Sequence, residues 1–217
     1  MNTELARFNM IEQQIRPWNV RDPHILELLG AVKREDFVPL AHKALAFVDM
    51  EIPLPGGQVM LAPKIEARLA QEVNAQRHEK LLQIGASSGY VTALLAHRAQ
   101  RVIALESSPE LAQLARANLQ KAGVFNAEVR QGNGSLGAPA DQPFDAIVLT
   151  GSVAQVPSAL LQQLKVGGRL IAIVGEEPMM YVTVVTRTGA STFSSEQHWD
   201  TVAARLPDFA EASEFKF

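Results

Sequence analysis

A glycine-bounded turn, followed by an acid at the end of the next apolar run, is the part of the sequence best suited to ligand chemistry. Gly85 and Gly89 bracket the turn, which follows the apolar run KLLQI and precedes a segment with apolar residues at helical spacing. Residues 101–105 form a second apolar run, and Glu106 follows it directly. Glycines let a ligand approach the backbone, a helix N-terminus attracts negative groups, and a carboxylate can accept hydrogen bonds from both ribose hydroxyls. The pattern therefore predicts a site for a ligand that carries a nucleoside.

Several interpretations of this turn compete. A nicotinamide or flavin fingerprint would place an acid at about this distance, but the bulky Tyr90 stands where close helix–strand packing needs Gly or Ala. A nucleophile elbow, G-x-S-x-G, would make Ser87 a nucleophile with Asp145 and His198 as its triad partners. The upstream residues have mostly helical patterns and contain no glycine-rich oxyanion loop, which disfavours the elbow. The S-adenosylmethionine turn of a doubly wound methyltransferase tolerates this looser glycine pattern, and a turn without any ligand is the remaining alternative.

The segments around the turn alternate between strand and helix patterns. Short apolar runs bounded by turn residues are separated by segments with apolar residues at helical spacing. This alternation predicts an α/β fold with a doubly wound, mostly parallel sheet and right-handed crossovers. The parallel strands are predicted at residues 80–84, 101–105, 126–131, 144–149 and 169–174.

The C-terminal part of the sequence has a different pattern. Residues 181–187 alternate in period two, a Thr-Gly turn follows, and residues 191–196 can return, which predicts an antiparallel hairpin. A parallel sheet closed by such a hairpin is typical of methyltransferases rather than of dinucleotide dehydrogenases. Beyond the hairpin, Phe209, Phe215 and Phe217 could dock the tail on the core, or the tail could be loose.

Residues 1–78 are predicted to form a helical annex, and residues 79–217 the ligand-binding core, together in one compact unit. Asp22 is a favourable N-cap for a helix, and Pro63 is a favourable first residue for another. Between them, residues 41–62 form a long Pro- and Gly-containing loop, which is usually functional or mobile. The first helix is expected over residues 3–15, ending before Pro17, with one apolar face made of Leu5, Phe8, Ile11 and Ile15.

Composition excludes several other functions. The 217 residues carry a net charge of −3 and no basic stripe, which argues against a nucleic-acid partner. No cysteine is present, and the five histidines are scattered singly, so neither disulfides nor a metal site is expected. No apolar run approaches membrane-spanning length and the N-terminus has no signal-peptide pattern, so we expect a cytoplasmic protein without a membrane partner.

Ordered segments over residues 10–187 resemble the protein-L-isoaspartate O-methyltransferases. MIEQQIRPWNV is similar to the N-terminal helix of that family and KREDFVP to its next element. LLQIGASSGYVTALLA resembles its first cofactor motif, VIALE its acidic strand end, and GNG its third motif, usually Gly-Asp-Gly. FDAIVLTGSVAQVPSALLQQLKVGGRLIAIVG resembles its last core segment. The resemblance implies a Rossmann-like sheet of seven strands, S-adenosyl-L-methionine as cofactor, and an isoaspartyl-containing protein or peptide as substrate.

The resemblance also implies which residues contact the cofactor. Gly85, Ser87 and Gly89 would border its methionine part, and Glu106 would bind the ribose hydroxyls. Asn133 would face the adenine edge, because an amide can both donate to it and accept from it. The alternative for Glu106 is a solvated acid at a strand end, and Asn133 taken alone is equally compatible with a turn former. The full predicted set consists of Gly85, Ala86, Ser87, Gly89, Glu106, Ser107, Gly132, Asn133 and Gly134.

The loop GGQVMLAP, which matches the family's loop over the cofactor, departs from the family's usual Gln-Thr-Ile-Ser. Here the residues are Gln58, Val59, Met60 and Leu61, so both hydroxyl groups are missing. The last three are expected to line the methyl-transfer site, and no catalytic residue is assigned. The first motif also has Gln83 in place of the usual acid. These departures leave three functions open: isoaspartyl repair, a binding or regulatory protein without turnover, or methylation of an apolar small molecule.

Overall fold

The computed structural model describes residues 2–209, which form two sheets and six α-helices. The strands are β1 (Ile52–Pro53), β2 (Val59–Met60), β3 (Lys80–Ile84), β4 (Arg101–Glu106), β5 (Ala127–Gln131), β6 (Phe144–Val153), β7 (Leu164–Glu176), β8 (Met179–Arg187) and β9 (Phe193–Asp200). The helices are α1 (Thr3–Asn9), α2 (Pro23–Ala31), α3 (Pro63–Val73), α4 (Tyr90–Ala96), α5 (Pro109–Lys121) and α6 (Ser158–Leu161). None of the helices within residues 2–209 has the length and hydropathy needed to cross a membrane.

The main sheet has seven strands in the order β5-β4-β3-β6-β7-β8-β9. Strands β5, β4, β3, β6 and β7 are mutually parallel, whereas β8 and β9 add antiparallel pairs at one edge. The predicted mostly parallel sheet with an antiparallel C-terminal hairpin is therefore confirmed. The chain winds from β3 outward to β4 and β5, and then returns to the other side of β3 with β6. A crevice is expected outside the carboxyl ends of β3, β4 and β6, because the direction of winding changes there.

Apolar side chains form one core on each face of this sheet. The larger core combines apolar residues of helices α3, α4 and α5 with apolar residues from the first 78 positions of the chain, such as Met10, Leu29 and Phe37. The smaller core lies on the opposite face and includes Phe144, Leu160 and residues of the C-terminal segment. The predicted annex therefore packs directly against one face of the sheet.

The N-terminal helix differs from the sequence-based expectation. Helix α1 changes into a π-helical segment at Met10–Ile15, and a 3-10 turn then runs through Arg16–Trp18. Leu5 and Phe8 are 54% and 59% exposed, whereas Ile11 and Ile15 are buried, so the predicted single apolar face is divided. A π segment has more residues per turn than an α-helix, and it therefore shifts the periodicity on which the expectation rested.

Strands β6 and β7 are longer than their apolar runs predict. Strand β6 continues to Val153 rather than ending near residue 149, and β7 begins at Leu164 rather than at residue 169. Helix α6, between these two strands, spans only Ser158–Leu161. The Gly167-Gly168 pair does not end the strand, because Gly168 lets the backbone of β6 approach; a Cβ there would lie 3.0 Å from the Asp145 carbonyl oxygen. The backbone hydrogen bonds between β6 and β7 therefore override the local preference of Gly167-Gly168 for a turn.

Candidate functional site

The turn between β3 and α4 is fixed by hydrogen bonds to the end of β4. The backbone N–H groups of Gly85 and Ala86 donate to the carbonyl oxygen of Leu105 at 2.9 and 3.2 Å. The φ angles of Gly85 and Ser87 are +87° and +53°, in the left-handed region that glycine adopts most easily. Gly85 and Ser87 line the crevice at the carboxyl ends of the strands. The predicted turn is therefore at the predicted edge of the sheet.

Two residues of the predicted set support the turn rather than line this crevice. Ala86 is buried, and its carbonyl oxygen accepts a hydrogen bond from the N–H of Gly89 at 2.8 Å. Gly89 has a φ of +88°, and a Cβ on it would lie 3.1 Å from the carbonyl oxygen of Ala115. Gly89 therefore permits the close approach of α4 and α5.

Glu106 lies at the tip of β4 with only 5% of its surface exposed. Its Oε2 atom accepts a hydrogen bond from the backbone N–H of Ser87 at 2.8 Å, and Oε1 accepts one from Ser108 at 3.1 Å. Burial raises the pKa of Glu106 above its ordinary value, while these backbone N–H groups act in the opposite direction. Glu106 and Ser107 both line the crevice. A carboxylate has about four acceptor sites, so Glu106 can accept further hydrogen bonds from a ligand.

The turn after β5 contributes one residue to the crevice. Gly134 is buried and lines it, whereas Gly132 donates its N–H to the carbonyl oxygen of Glu106 at 3.0 Å. Asn133 is exposed, and its Oδ1 accepts hydrogen bonds from the N–H and the hydroxyl of Ser135 at 2.8 and 2.6 Å. Asn133 is therefore a turn former here and does not line the crevice in this conformation.

The loop of residues 58–61 covers the turn. Val59 and Gln58 line the crevice, and the carbonyl oxygen of Val59 accepts a hydrogen bond from Ser87 Oγ at 3.2 Å. Met60 pairs with β1 and is buried in the larger core. Contrary to the expectation, it does not line the crevice. The reason is the alternation of side chains along β2, which places neighbouring residues on opposite faces. Leu61 is buried beside the other face of the turn.

A buried ion pair fixes the backbone of this loop. Arg34 is fully buried and donates to Glu66 Oε2 at 2.8 Å, to the Ala46 carbonyl oxygen at 2.6 Å and to the Leu61 carbonyl oxygen at 2.7 Å. Burial raises the pKa of Glu66 to about 7, and the Arg34 guanidinium opposes that rise. Sequence analysis did not identify Arg34 or Glu66, because the residues that they contact are far away along the chain.

A second, smaller cavity lies between Leu61 and the glycine turn. Its volume is about 10 Å³, and Gln83, Tyr90 and Thr150 contribute to its lining. The Oε1 atom of Gln83 and the hydroxyl of Tyr90 are buried without a hydrogen-bond partner within residues 2–209. The Nε2 group of Gln83, in contrast, donates to the carbonyl oxygen of Gly85 at 3.1 Å. A cavity of this size has room for at most one water molecule.

The C-terminal segment occupies the crevice that was expected to hold a nucleoside. Leu206 is buried, and its Cδ2 atom would lie 2.8 Å from a Cβ on Gly85. Its Cγ atom would lie equally close to a Cβ on Gly151. The backbone of Ser152 donates to the Ala204 carbonyl oxygen at 2.8 Å and accepts from the Leu206 N–H at 2.9 Å. The segment therefore continues along β6 and inserts Leu206 between two glycines.

The residues that follow Leu206 take up further space in the crevice. The carboxylate of Asp208 accepts a hydrogen bond from the N–H of Gly134 at 3.4 Å, and Pro207 lines the crevice. Phe209 is partly buried against the smaller core, as the docking alternative predicted, while Phe215 and Phe217 lie outside the described residues. The space that remains is about 30 Å³. Ligand pockets usually measure roughly 300–1,000 Å³, so a nucleoside does not fit beside the segment.

The structure separates the residues of the proposed nucleophile elbow. Ser87 Oγ contacts the carbonyl oxygen of Val59. Asp145 accepts a hydrogen bond from the backbone N–H of Lys80 at 2.8 Å. Lys80 is the first residue of β3, so this bond lies at the amino ends of the parallel strands, whereas Ser87 lies at their carboxyl ends. His198 Nδ1 lies 2.8 Å from a carboxylate oxygen of Glu72. These three residues therefore form no triad, and the elbow interpretation is wrong.

The crevice is also lined by three residues that were not predicted from the sequence, Thr150, Leu206 and Asp208. The Thr150 hydroxyl contacts the carbonyl oxygens of Ile84 and Gly85 and so joins β6 to the turn. Its position at the end of a predicted parallel strand was a usable signal. Phe209 was named as a residue that could dock the tail, but nothing in residues 206–209 specifies the crevice as the docking place.

Comparison with known proteins supports the resemblance found in the sequence. The family model described as protein-L-isoaspartate(D-aspartate) O-methyltransferase (PCMT) matches residues 6–203. A Pelobacter propionicus relative, protein-L-isoaspartate O-methyltransferase 2, is 38% identical over 197 residues, which are 90% of this chain and 88% of the relative. A Syntrophobacter fumaroxidans relative, protein-L-isoaspartate O-methyltransferase 1, is 41% identical over 176 residues, which are 81% of this chain and 82% of the relative.

Solved structures agree on the fold. The crystal structure of a Plasmodium falciparum beta-aspartate methyltransferase (PCMT) in complex with S-adenosyl-L-homocysteine superposes with a TM-score of 0.80. The sequence identity is 18%, and the match covers 96% of this chain and 99% of that chain. At this identity the likeness shows a shared methyltransferase fold, which confirms the fold class.

Proposed function

Because the chain belongs to the protein-L-isoaspartate(D-aspartate) O-methyltransferase family, we propose that it methylates the carboxyl group of isoaspartyl residues in proteins or peptides. S-Adenosyl-L-methionine is the cofactor and supplies a methyl group activated by a sulfonium centre. One structural observation carries the proposal: a buried carboxylate, Glu106, lies beside a glycine turn at the point where the winding of the sheet changes direction. This arrangement suits a nucleoside-bearing ligand.

The residues of the turn and the strand ends fit the cofactor. A Cβ on Gly85 would lie 2.8 Å from Leu206 Cδ2 and 3.1 Å from Thr150 Oγ1, so the absence of a side chain here is what lets another group lie against the backbone. Glu106 can accept hydrogen bonds from the ribose hydroxyls, and Ser107 and Gly134 border the same space. The obstacle is Leu206 and the residues that follow it, and these belong to a terminal segment rather than to the turn.

An isoaspartyl carboxylate is ionised at neutral pH, so no side chain has to remove a proton from it. The chain therefore has to orient the carboxylate and keep the site dry. Val59 provides an apolar wall of the crevice and Leu61 lies buried at the other face of the turn, and neither supplies a hydroxyl donor. A carboxylate buried against them loses hydration, so backbone N–H groups have to replace the missing donors.

Methyl transfer to a short isoaspartyl peptide tests this proposal. Incubation with S-adenosyl-L-methionine labelled on its methyl group is expected to label the isoaspartyl peptide and to leave the matched aspartyl peptide unlabelled. S-Adenosyl-L-homocysteine binding, measured by calorimetry on the same preparation, shows whether the cofactor site is functional. Absence of labelling in a preparation that binds the cofactor product would contradict isoaspartyl methylation.

The apolar walls favour a second candidate substrate. Val59 and Leu61 stand where the family usually has threonine and serine, and Leu61 is 5% exposed. Such walls suit an apolar small molecule with a methyl-accepting oxygen better than they suit a charged peptide group. Methylation of an apolar carboxylic acid in the same assay, without labelling of the isoaspartyl peptide, would favour this candidate.

A further inference from the structure

We propose that residues 203–209, here called the C-terminal strap, are an autoinhibitory segment that competes with S-adenosyl-L-methionine for the crevice. The inference rests on the proposed function, because it requires that the crevice be the cofactor site. The strap has to leave the crevice before the cofactor binds, and bound cofactor in turn keeps the strap away.

The first support is the overlap between the strap and the predicted cofactor site. Leu206 lies against Gly85, the first residue of the turn, and Asp208 accepts a hydrogen bond from Gly134. Both glycines belong to the set of cofactor contacts that the resemblance implies. With the strap in place the remaining space is about 30 Å³. The strap and a nucleoside therefore exclude each other sterically.

The second support is the way in which the strap is attached. Its regular contacts with the sheet are concentrated on Ser152, which bonds the Ala204 carbonyl oxygen and the Leu206 N–H through its backbone and the Ala203 carbonyl oxygen through Oγ. Strand β9 ends before the strap, at Asp200. Arg205 also donates to the Gly175 carbonyl oxygen of β7 at 3.0 Å, and Gly134 donates to Asp208 at 3.4 Å. Release of the strap breaks these bonds and the bridge to the end of β6, but it leaves the ladder of the main sheet intact.

The third support is electrostatic and conformational. Asp208 brings a second carboxylate towards Glu106, and this like charge adds to the effect of burial on Glu106. Asp208 also has a φ of +72°, which a residue with a side chain adopts at a cost. A ligand with ribose hydroxyls would instead give Glu106 hydrogen-bond donors. The crevice thus favours exchange of the strap for such a ligand.

The match to the family model ends at residue 203, where the strap begins. The turn and the acid fall inside the match, whereas Leu206 and Asp208 fall outside it.

Calorimetric titration with S-adenosyl-L-homocysteine tests the competition. Leu206→Ser removes the side chain that fills the space at Gly85. We expect the dissociation constant of S-adenosyl-L-homocysteine to be lower for this variant than for the unmodified chain by about tenfold or more, since apparent affinity scales with the fraction of protein whose crevice is open. Val202→Ser is the matched control, because Val202 is exposed just before the strap. Its dissociation constant should stay within about twofold of that of the unmodified chain. Equal affinities of the Leu206→Ser variant and the unmodified chain would overturn the inference.

Trypsin digestion of the unmodified chain gives an independent readout. Arg205 lies within the strap, and cleavage after it requires an opened segment, so the rate reports the open population. S-Adenosyl-L-homocysteine is expected to accelerate cleavage after Arg205 and not after Arg130, which lies within β5. Slower or unchanged cleavage after Arg205 with bound ligand would mean that the ligand and the closed strap are accommodated at the same time, and it would overturn the inference.

The outcomes distinguish this inference from the proposed function. Binding of S-adenosyl-L-homocysteine with equal affinity in all variants overturns the strap competition and leaves the methyltransferase proposal intact. Folded Leu206→Ser protein that binds no ligand overturns both, because removal of the blocking side chain would then reveal no cofactor site.

Discussion

Arg34→Met is expected to lower the free energy of unfolding by about 3–5 kcal/mol, because it leaves a buried carboxylate without its partner. The side chains of Arg34 and Glu66 are 0% and 3% exposed, so water does not replace the lost contact. The substitution also removes the donors to the Ala46 and Leu61 carbonyl oxygens. Each unsatisfied buried acceptor costs about 1–3 kcal/mol, and burial of the methionine side chain offsets part of this loss.

The loss in Arg34→Met should depend on pH in a defined direction. Burial already raises the pKa of Glu66 from 4.5 to about 7 in the presence of Arg34. Without Arg34 the pKa of Glu66 should lie still higher. Since the folded state then holds a proton that the unfolded state releases, stability is retained below pH 4.5 and is lost as the pH rises towards the folded pKa. The deficit relative to the unmodified chain should therefore be larger at pH 8 than at pH 5.

Urea unfolding, followed by circular dichroism at pH 5 and pH 8, measures both effects. The double variant Arg34→Met with Glu66→Met should recover most of the loss, because a packed apolar pair replaces a buried ion pair at little cost. Arg16→Met is the matched control: Arg16 also bonds a glutamate, Glu12, at 2.8 Å, but its side chain is 50% exposed. We expect no measurable change for that variant. A loss below about 1 kcal/mol for Arg34→Met, or a double variant no more stable than the single one, would refute the reasoning.

Three further substitutions test the site. Glu106→Gln should weaken S-adenosyl-L-homocysteine binding about tenfold or more in calorimetry, since charge-assisted hydrogen bonds to the ribose are lost, while Glu110→Gln on the exposed first turn of α5 should have no effect. Because the pKa of Glu106 is raised, binding to the unmodified chain should weaken as the pH falls through that pKa, and this dependence should vanish in Glu106→Gln; a pH-independent affinity would contradict the assigned role. Tyr90→Phe should leave thermal stability unchanged or raise it, because the Tyr90 hydroxyl is buried without a partner in residues 2–209, and a lower melting temperature would indicate a hydrogen bond through water. Leu61→Ser should increase the rate of isoaspartyl peptide methylation if the chain is a diverged repair enzyme, and a rate unchanged from that of the unmodified chain would favour another acceptor.

Local patterns were sufficient for the elements that bring the turn and the acid together. The apolar run of β3, the glycine turn and the run of β4 depend on contacts between neighbours in the sequence, and parallel strands place their carboxyl ends at one edge. The structure accordingly places Gly85 and Glu106 at the same crevice. Asn133 shows the limit of such reasoning, because its hydrogen bonds to Ser135 satisfy a local turn instead of facing the crevice.

Boundaries that depend on distant partners were not predictable in this way. Strand β6 runs on to Val153 because β7 and the bridge from Ser152 to Arg205 supply backbone partners there. Leu5 and Phe8 are exposed because a π-helical segment changes the phase of the helix before Ile11. For β6 the deciding hydrogen bonds lie outside the apolar run that suggested the strand, whereas the π-helical segment changes the period inside the predicted helix itself.

The amino-acid sequence by itself determined the α/β fold, the family, and the glycine turn followed by an acid, because each of these is encoded in short, ordered segments. Only the tertiary structure decided that Arg34 fixes the loop at Leu61 and that Leu206 fills the crevice at Gly85 and Gly151. These contacts join residues far apart along the chain. Whether they form depends on the packing of the complete sheet, and no local preference for helix, strand or turn contains that information.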